Sequence, residues 1–336
     1  MSKIIQKITA VRKKVEQFRP FSKEQESAIQ ERLRAEWTYN SNAIEGNTLT
    51  FGETLFFLRE GLTSEGRPLK DYLEAKNHVE AIDGLEDIIQ NKRPLTEGLI
   101  KELHGVLMRG MEFSLARGAG GQIIRKEIHI GQYKIQPNHV LTLSGKIHHY
   151  ADPLHVKDKM EELLKWYHSK KELHPVERAA IFHYKFVSIH PFDDGNGRMA
   201  RLLMNLILMK SGYLPCIIKT AHRKKYLEAL ETVDKKKNFA DFVQFVGEEL
   251  LETLETILSV LKGEDTAVLD GRSLNQAERE DLIKGILGKE KLRISQIHAR
   301  LLQIPRPTLK FDLKRLCKKR VIKKIGKGKG TLYFTG

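Results

Sequence analysis

From residue 3 to residue 261 most of the chain is written in helical periodicity. Residues 3 to 40 mix charged positions with Ile, Leu and Trp37 and are interrupted at Arg19-Pro20, which predicts helix, break, helix. Leu69 to Ile89 and Thr96 to Met108 are amphipathic and separated by Asn91-Lys92-Arg93-Pro94. Pro175 opens a run to Ile189 whose Ala179, Ala180, Phe182, Phe186 and Val187 mark a buried helix. Met199, Leu202, Leu203, Leu206 and Leu208 predict another, and His222 to Leu230 and Phe239 to Leu261 two more. The apolar stripe of the last suits a core helix or an interface, including that of a homodimer. One stretch leaves this period. After Gly118-Ala119-Gly120-Gly121, Ile123, Ile124, Ile128, Ile130 and Ile135 recur around Gly131-Gln132, and a β-hairpin over 123–136 is the simplest reading.

Lys262 to Ser273 is small and charged and predicts a linker. Beyond it Gln276 to Leu287, Ile294 to Leu302 and Pro307 to Lys319 read as helices, with Ile304-Pro305 as a turn. Val321 to Ile325 and Thr331 to Phe334 read as strands around the basic loop Gly326 to Gly330. That is the order of a winged helix-turn-helix. The expected fold is mainly α, a helical core with a β-hairpin followed by this terminal domain. Expected boundaries are 1–94 for an N-terminal helical region, 95–261 for the core, 262–273 for the linker and 274–336 for the winged module.

The chemistry concentrates between two of the predicted helices, in His190-Pro191-Phe192-Asp193-Asp194-Gly195-Asn196-Gly197-Arg198-Met199-Ala200-Arg201. Pro191 discourages continuation of the first helix, and Gly195 and Gly197 supply backbone that lets successive N–H groups converge on an anion. In the helix that follows, Arg198, Arg201 and Asn205 share a face. A glycine loop, a helix N-terminus and two guanidiniums together suit a triphosphate. Asp194 adds a carboxylate of the kind that holds Mg²⁺ beside phosphates. His190 is the one group here that ordinarily titrates near neutrality, and it is placed to take a proton from a hydroxyl. A capped loop with a satisfied histidine is the plainer alternative. Upstream, Ser41-Asn42-Ala43-Ile44-Glu45-Gly46-Asn47 ends a helix at Gly46. Glu45 is either a solvated last-turn residue or, since the helix dipole disfavours an acid there, the partner of a cation. Thr48 to Leu55 carries a fresh N-cap and capping box.

The central stretch resembles the signature of the Fic family, His-Pro-Phe-x-(Asp/Glu)-Gly-Asn-Gly-Arg-x-x-Arg, at every fixed position, and Ser41 to Gly46 resembles that family's inhibitory motif, (Ser/Thr)-x-x-x-Glu-(Gly/Asn). The resemblance implies a transfer of AMP from ATP to a Ser, Thr or Tyr hydroxyl of a protein, with the chain itself as one candidate target. It implies that His190 is the general base and that Asp194 holds Mg²⁺. Gly195, Asn196 and Gly197 would wrap the α and β phosphates, Arg198 would contact the β/γ end, and Arg201 would receive the γ-phosphate. Glu45, in a motif that starts at Ser41, would pair with Arg201 and block it. Tyr226 resembles an adenosine-pocket residue, a core tyrosine being the alternative. The hairpin at 123–136 would dock the target segment by strand addition. His183 reads as a buried supporting histidine, and His148, His149 and His155 lack metal-ligand spacing. Removal of AMP from a modified protein, or a transcription regulator that senses ATP through the Fic fold, are the other activities compatible with these residues.

At 336 residues and 40% hydrophobic content the chain has material for two or three domains. Two cysteines, Cys216 and Cys317, make no disulfide framework, and the opening residues are charged too early for a signal peptide's apolar core. No stretch of eighteen apolar residues suggests a membrane partner, so a cytoplasmic location is expected. The formal charge of +15 sits almost wholly at one end: residues 289–329 hold fifteen Lys and Arg against two acids. A basic module on a near-neutral body points to a polyanion, here double-stranded DNA, with Arg306, Thr308 and Lys310 nearest base edges and Lys314, Lys327 and Lys329 on phosphates. A protein-docking or dimer role is the alternative for such a module.

Overall fold

The computed structural model describes residues 2–64, 66–117, 122–141, 147–262, 276–287, 290–301, 304, 306–326 and 328–335. Helices dominate it, as the periodicity predicts. α1 (Lys3–Glu16) and α2 (Lys23–Ile44) flank the expected break, and Ser22 starts α2 with a capping box to Gln25. The box expected after residue 48 is formed by Thr50 and Glu53 and starts α3 (Phe51–Glu60), which ends at a left-handed Gly61. α4 (Leu69–Gln90) and α5 (Glu97–Leu107) follow, then strands β1 (Phe113–Arg117), β2 (Ile123–Glu127), β3 (His139–Leu141) and β4 (Ile147–His149). α6 (Pro153–Ser169), α7 (Pro175–Ile189), α8 (Asn196–Lys210), α9 (Arg223–Lys236) and α10 (Ala240–Leu261) complete the body. α6, which the pattern analysis did not single out, carries its own start signal: Asp152 caps it and Pro153 takes the first turn.

The hairpin lies elsewhere than expected. β1 pairs antiparallel with β2, Phe113 opposite Glu127 and Arg117 opposite Ile123, so both strands of the pair lie upstream of Gly131-Gln132. Residues 128–138 are a loop pressed onto α5. A Cβ on Gly131 would stand 3.3 Å from the Lys101 carbonyl, so a glycine there serves close approach, and its isoleucine neighbours are not paired in strands. β3 and β4 form a second small pair, which places His148 and His149 in a strand.

One continuous core runs from Ile4 to Leu261 and takes in residues on both sides of residue 94. α8 is at its centre, with Asn196 and every residue from Arg198 to Leu208 buried. α7 and α8 form a hairpin around the glycine loop, and α1 closes the far side by packing on α10. A second, separate core is built from Ile283, Leu287, Leu292, Ile297, Leu309, Leu313 and Leu316, among others. It belongs to α11 (Gln276–Leu287), α12 (Ile294–Arg300) and α13 (Arg306–Lys318), with a sheet in the order β5 (Leu292–Arg293), β7 (Leu332–Phe334), β6 (Lys323–Ile325). The three helices and the strands β6 and β7 come in the order expected from the sequence; the short β5 between the first two helices was not expected. Residues 263–273 of the expected linker lie outside the described residues, as do 274, 275 and Lys327.

The α1–α10 contact has no spare volume. A Cβ on Gly247 would lie 2.7 Å from Ile4 Cγ1 and 3.2 Å from its Cγ2. Gly247→Val is therefore expected to overpack this contact and to cost roughly 1–3 kcal/mol. Urea denaturation followed by circular dichroism checks it, and an unchanged midpoint would show that α1 shifts freely.

Candidate active site

α7 delivers His190 and then stops. His190 is the last residue of the turn, in the left-handed conformation with φ 53°, its N–H bonded to the Phe186 carbonyl at 3.0 Å. Its ring stacks on Tyr150, centroids 3.8 Å apart and planes 15° apart, a contact that fixes the plane of the imidazole.

The loop that follows is braced from every side. Asn196 accepts the Phe192 N–H and donates to the Phe192 carbonyl, both at 2.9 Å, so its side chain is committed within the loop and an anion meets only its backbone. Lys134 donates its N–H to the Pro191 carbonyl, and Asn138 donates to that of Phe192. Phe192, fully buried, stacks face to face on His104 of α5 at 3.8 Å. His104 accepts the Gly131 N–H at Nδ1 and so carries its proton on Nε2, which donates to the Asp194 carbonyl. Asp193 accepts from the N–H and Nδ1 of His129, with Lys126 Nζ at 3.3 Å. Burial pushes the Asp193 carboxyl up, but these contacts more than offset it and hold it below its ordinary range. The loop is thereby tied to α5 and to β2, close to His190. Asp194 stands at the mouth, its carboxylate 36% exposed and one oxygen accepting the Gly195 N–H.

Gly195, at φ 75°, begins α8 and brings no side chain to cap it. A carboxylate from α2 lies there instead. Glu45 Oε1 accepts from Arg201 Nη2 at 2.8 Å, and a Cβ on Gly197 would collide with the same oxygen. Arg201 also donates to Ser41, Nε to the hydroxyl at 3.1 Å and Nη2 to the carbonyl at 2.7 Å. Arg223 of α9 caps the end of α2 by donating to the Ile44 carbonyl. This resolves the misfit of an acid at a helix C-terminus: the cations come from α8 and α9. Burial pushes the Glu45 carboxyl up, but Arg201, then Arg198 and Arg223, outweigh it and hold the group below the usual carboxylate range.

The two signature arginines do not point at one place. Arg198 sits 3.3 Å from Glu74 of α4 and near Met108, just past the end of α5, while Arg201 turns to the end of α2. Their counter-charges differ in a way that matters. The Glu74 side chain is 9% exposed and fixed, whereas that of Glu45 is 39% exposed and can be displaced. Asn205 is a brace, exchanging two hydrogen bonds with the backbone of Cys216. Tyr226 is buried at 3%, its hydroxyl 3.0 Å from His183 Nε2 and beside Arg201, so it reaches the site through that guanidinium. His183 is the buried supporting residue expected.

Tyr150, His104, Asp193, His129, Glu74 and Met108 were not singled out from sequence. Only Asp193, inside the signature, sat where a signal could be sought; the others are single polar or apolar residues on packing elements. In the terminal module Arg306, Lys310 and Lys314 are exposed as expected. Thr308 is corrected: it is 3% exposed, on the flank of α13 turned away from solvent, and cannot meet a base edge. The side chain of Lys329, like the whole of Lys327, lies outside the described residues. His222, Glu249 and Glu252 form a cluster of metal-ligating types, but His222 and Lys219 already pair with these carboxylates. Among the described residues no helix is long and apolar enough to cross a membrane.

A profile of the Fic/DOC family matches residues 94–208. The chain is similar to a Fic domain containing signaling protein from Bacteroides thetaiotaomicron, 33% identical with a TM-score of 0.68 over 76% of this chain and 97% of that one. It is also similar to the protein adenylyltransferase Fic of Aedes aegypti, 30% identical over 271 residues, which are 77% of this chain and 50% of that protein. The chain thus spans about half the length of the curated relatives it matches. A Fic family protein from Desulfovibrio desulfuricans is similar in fold along 100% of this chain and 97% of its own, with a TM-score of 0.61 and 21% identity.

Three histidines inside this site give it a pH dependence. Burial pushes His78 and His183 down to about 3 and His104 down to about 4. The unfolded chain takes up protons on them below about pH 6.5 and the folded chain does not, so stability present above that pH is lost as pH falls toward 4. Urea unfolding between about pH 6.5 and 5 is expected to show a slope of roughly two to three protons, about 1.4 kcal/mol per pH unit for each. A slope below one proton would refute it.

Proposed function

Since the chain belongs to the Fic/DOC family, we propose that it is a protein adenylyltransferase, restrained by Glu45 and carrying a winged helix-turn-helix that binds double-stranded DNA. The observation that carries the enzymatic reading is the Glu45 carboxylate seated on Arg201 against Gly197 at the uncapped start of α8. It stands in for a phosphate: an anionic group already rests where helix dipole and guanidinium favour one.

In this mechanism the γ-phosphate of ATP takes the place of Glu45 on Arg201, and the N–H groups of residues 195–197 cradle the phosphates between it and the α-phosphorus. His190, held in plane by Tyr150, accepts the proton of a target hydroxyl as that oxygen bonds to the α-phosphorus, and the bond to the leaving pyrophosphate breaks. Positioning and charge do most of the work in such a transfer, with the base adding about 10²- to 10⁴-fold. Asp194 is the fitting holder for Mg²⁺, a hard carboxylate exposed at the loop mouth; the ion, when bound, would neutralise phosphate charge. The β1–β2 hairpin, with Phe113, Ile123 and Ile124 exposed, is the docking edge for the target backbone.

Removing the carboxylate leaves a buried cation unpaired, a change worth roughly 3–5 kcal/mol when both partners are fully buried and less here because Glu45 is partly open. Glu45→Gly is therefore expected to melt earlier than wild type, to gain more stability from ATP with Mg²⁺, and to raise self-labelling from α-³²P-ATP severalfold. Equal labelling of the two proteins discards the brake. His190→Ala should abolish labelling while still binding ATP, and undiminished labelling would remove His190 from the mechanism.

A further inference from the structure

The outward face of α13 is already in contact with the body. Leu309, Leu313 and Leu316 line one side of this helix and are fully buried in the module's own core; Lys310, Phe311, Lys314 and Lys318 fall on the opposite side and are exposed. Phe311 packs on Phe56 of α3, ring centroids 6.2 Å apart, and Phe56 is 4% exposed. At the end of α3, Glu60 lies 3.5 Å from Arg279 of α11, which in turn holds the buried Asp312 of α13 at 2.7 Å.

A reading helix needs that face clear. The major groove is about 12 Å wide and a helix with side chains about 10–12 Å across, so the groove closes around the helix that enters it. A second helix packed on the same face sits only about 8–10 Å away, axis to axis, inside the space the groove walls need. Duplex and α3 therefore compete.

α3 is also joined to the brake. Residues 46–50 alone separate Glu45 from Phe51. Within them Asn47 donates to Glu74 at 2.8 Å, the Thr48 N–H donates to Asp71 at 2.8 Å, and Glu74 faces Arg198. A displacement of α3 thus pulls on the segment that sets both signature arginines' counter-charges.

We propose that α3 is the intramolecular occupant of the DNA-reading face, that a duplex binds α13 only when α3 releases it, and that this release loosens Glu45 from Arg201. The inference rests on the DNA reading given above. Linkage makes the effect mutual: the factor by which docking weakens duplex binding is the factor by which duplex favours undocking.

The test uses the full chain and a labelled mixed-sequence duplex at about 50 mM salt, followed by fluorescence anisotropy. Glu60→Lys sets a cation against Arg279 without touching the outward face of α13 or the nucleotide site; Phe56→Leu trims the ring contact independently. Both should bind duplex about 5-fold more tightly or better, and Glu172→Lys, the same charge change on an exposed residue, should not. Duplex should raise self-labelling from α-³²P-ATP in the wild type and leave Glu45→Gly unchanged. Equal and measurable affinity of wild type and both variants overturns the inference while the DNA reading stands. So does an equal gain in Glu172→Lys, or duplex binding that leaves wild-type labelling unmoved. No binding by any of them overturns the DNA reading and the inference with it.

Discussion

A guanidinium with 3% of its side chain exposed to water has to keep an anion beside it, and Arg201 imposes that condition on the rest of the body. α8 is buried along nearly its whole length, so Arg201 cannot turn to solvent. Its anion has to come from another element or from a ligand. α2 supplies it by running four residues past Asn40, far enough for Ser41 and Glu45 to lie on the guanidinium together. The acid then sits at the negative end of its own helix, an arrangement that holds because Arg223 takes the Ile44 carbonyl and Arg201 takes the charge. The same counter-charge, 39% exposed, is open to water and to a competing anion.

Around that ion pair the loop from 190 to 197 is held far more tightly than glycine content alone would allow. The His104–Phe192 and Tyr150–His190 stacks, and the Asp193 contacts to β2 and the loop after it, fix the two ends of the turn independently. Neutral, buried histidines do part of this bracing, which binds the geometry of the site to pH through stability. Phosphoryl chemistry depends chiefly on positioning, so these contacts matter as much as the residues named in the signature.

The terminal module is a separate folding unit by its core and a neighbour of the site by its contacts. Its basic character is partly internal: Arg315 and Lys319 pair with Glu280, and Arg279 and Arg315 with Asp312, while Arg306, Lys310, Lys314 and Lys318 are exposed cations of α13. α3, capped by the Thr50–Glu53 box and closed by Gly61, is the short rigid piece between the two units.

The sequence by itself determined most of the helices, the glycine loop with its histidine and arginines, and the element order of the terminal module apart from β5. Each of these is a local matter of period, cap or turn, and such signals survive in a linear text. It misplaced the hairpin, because isoleucines around Gly131 carry no record of Gly131 lying against Lys101, and it put Thr308 on the surface, because one helix has no information about what flanks it. Tertiary structure alone decided that Arg198 answers to Glu74, that Tyr150 fixes the plane of His190, and that α3 lies on α13. Those are meetings of residues far apart in the chain, and burial of charge, which makes them obligatory, exists only once the core has closed.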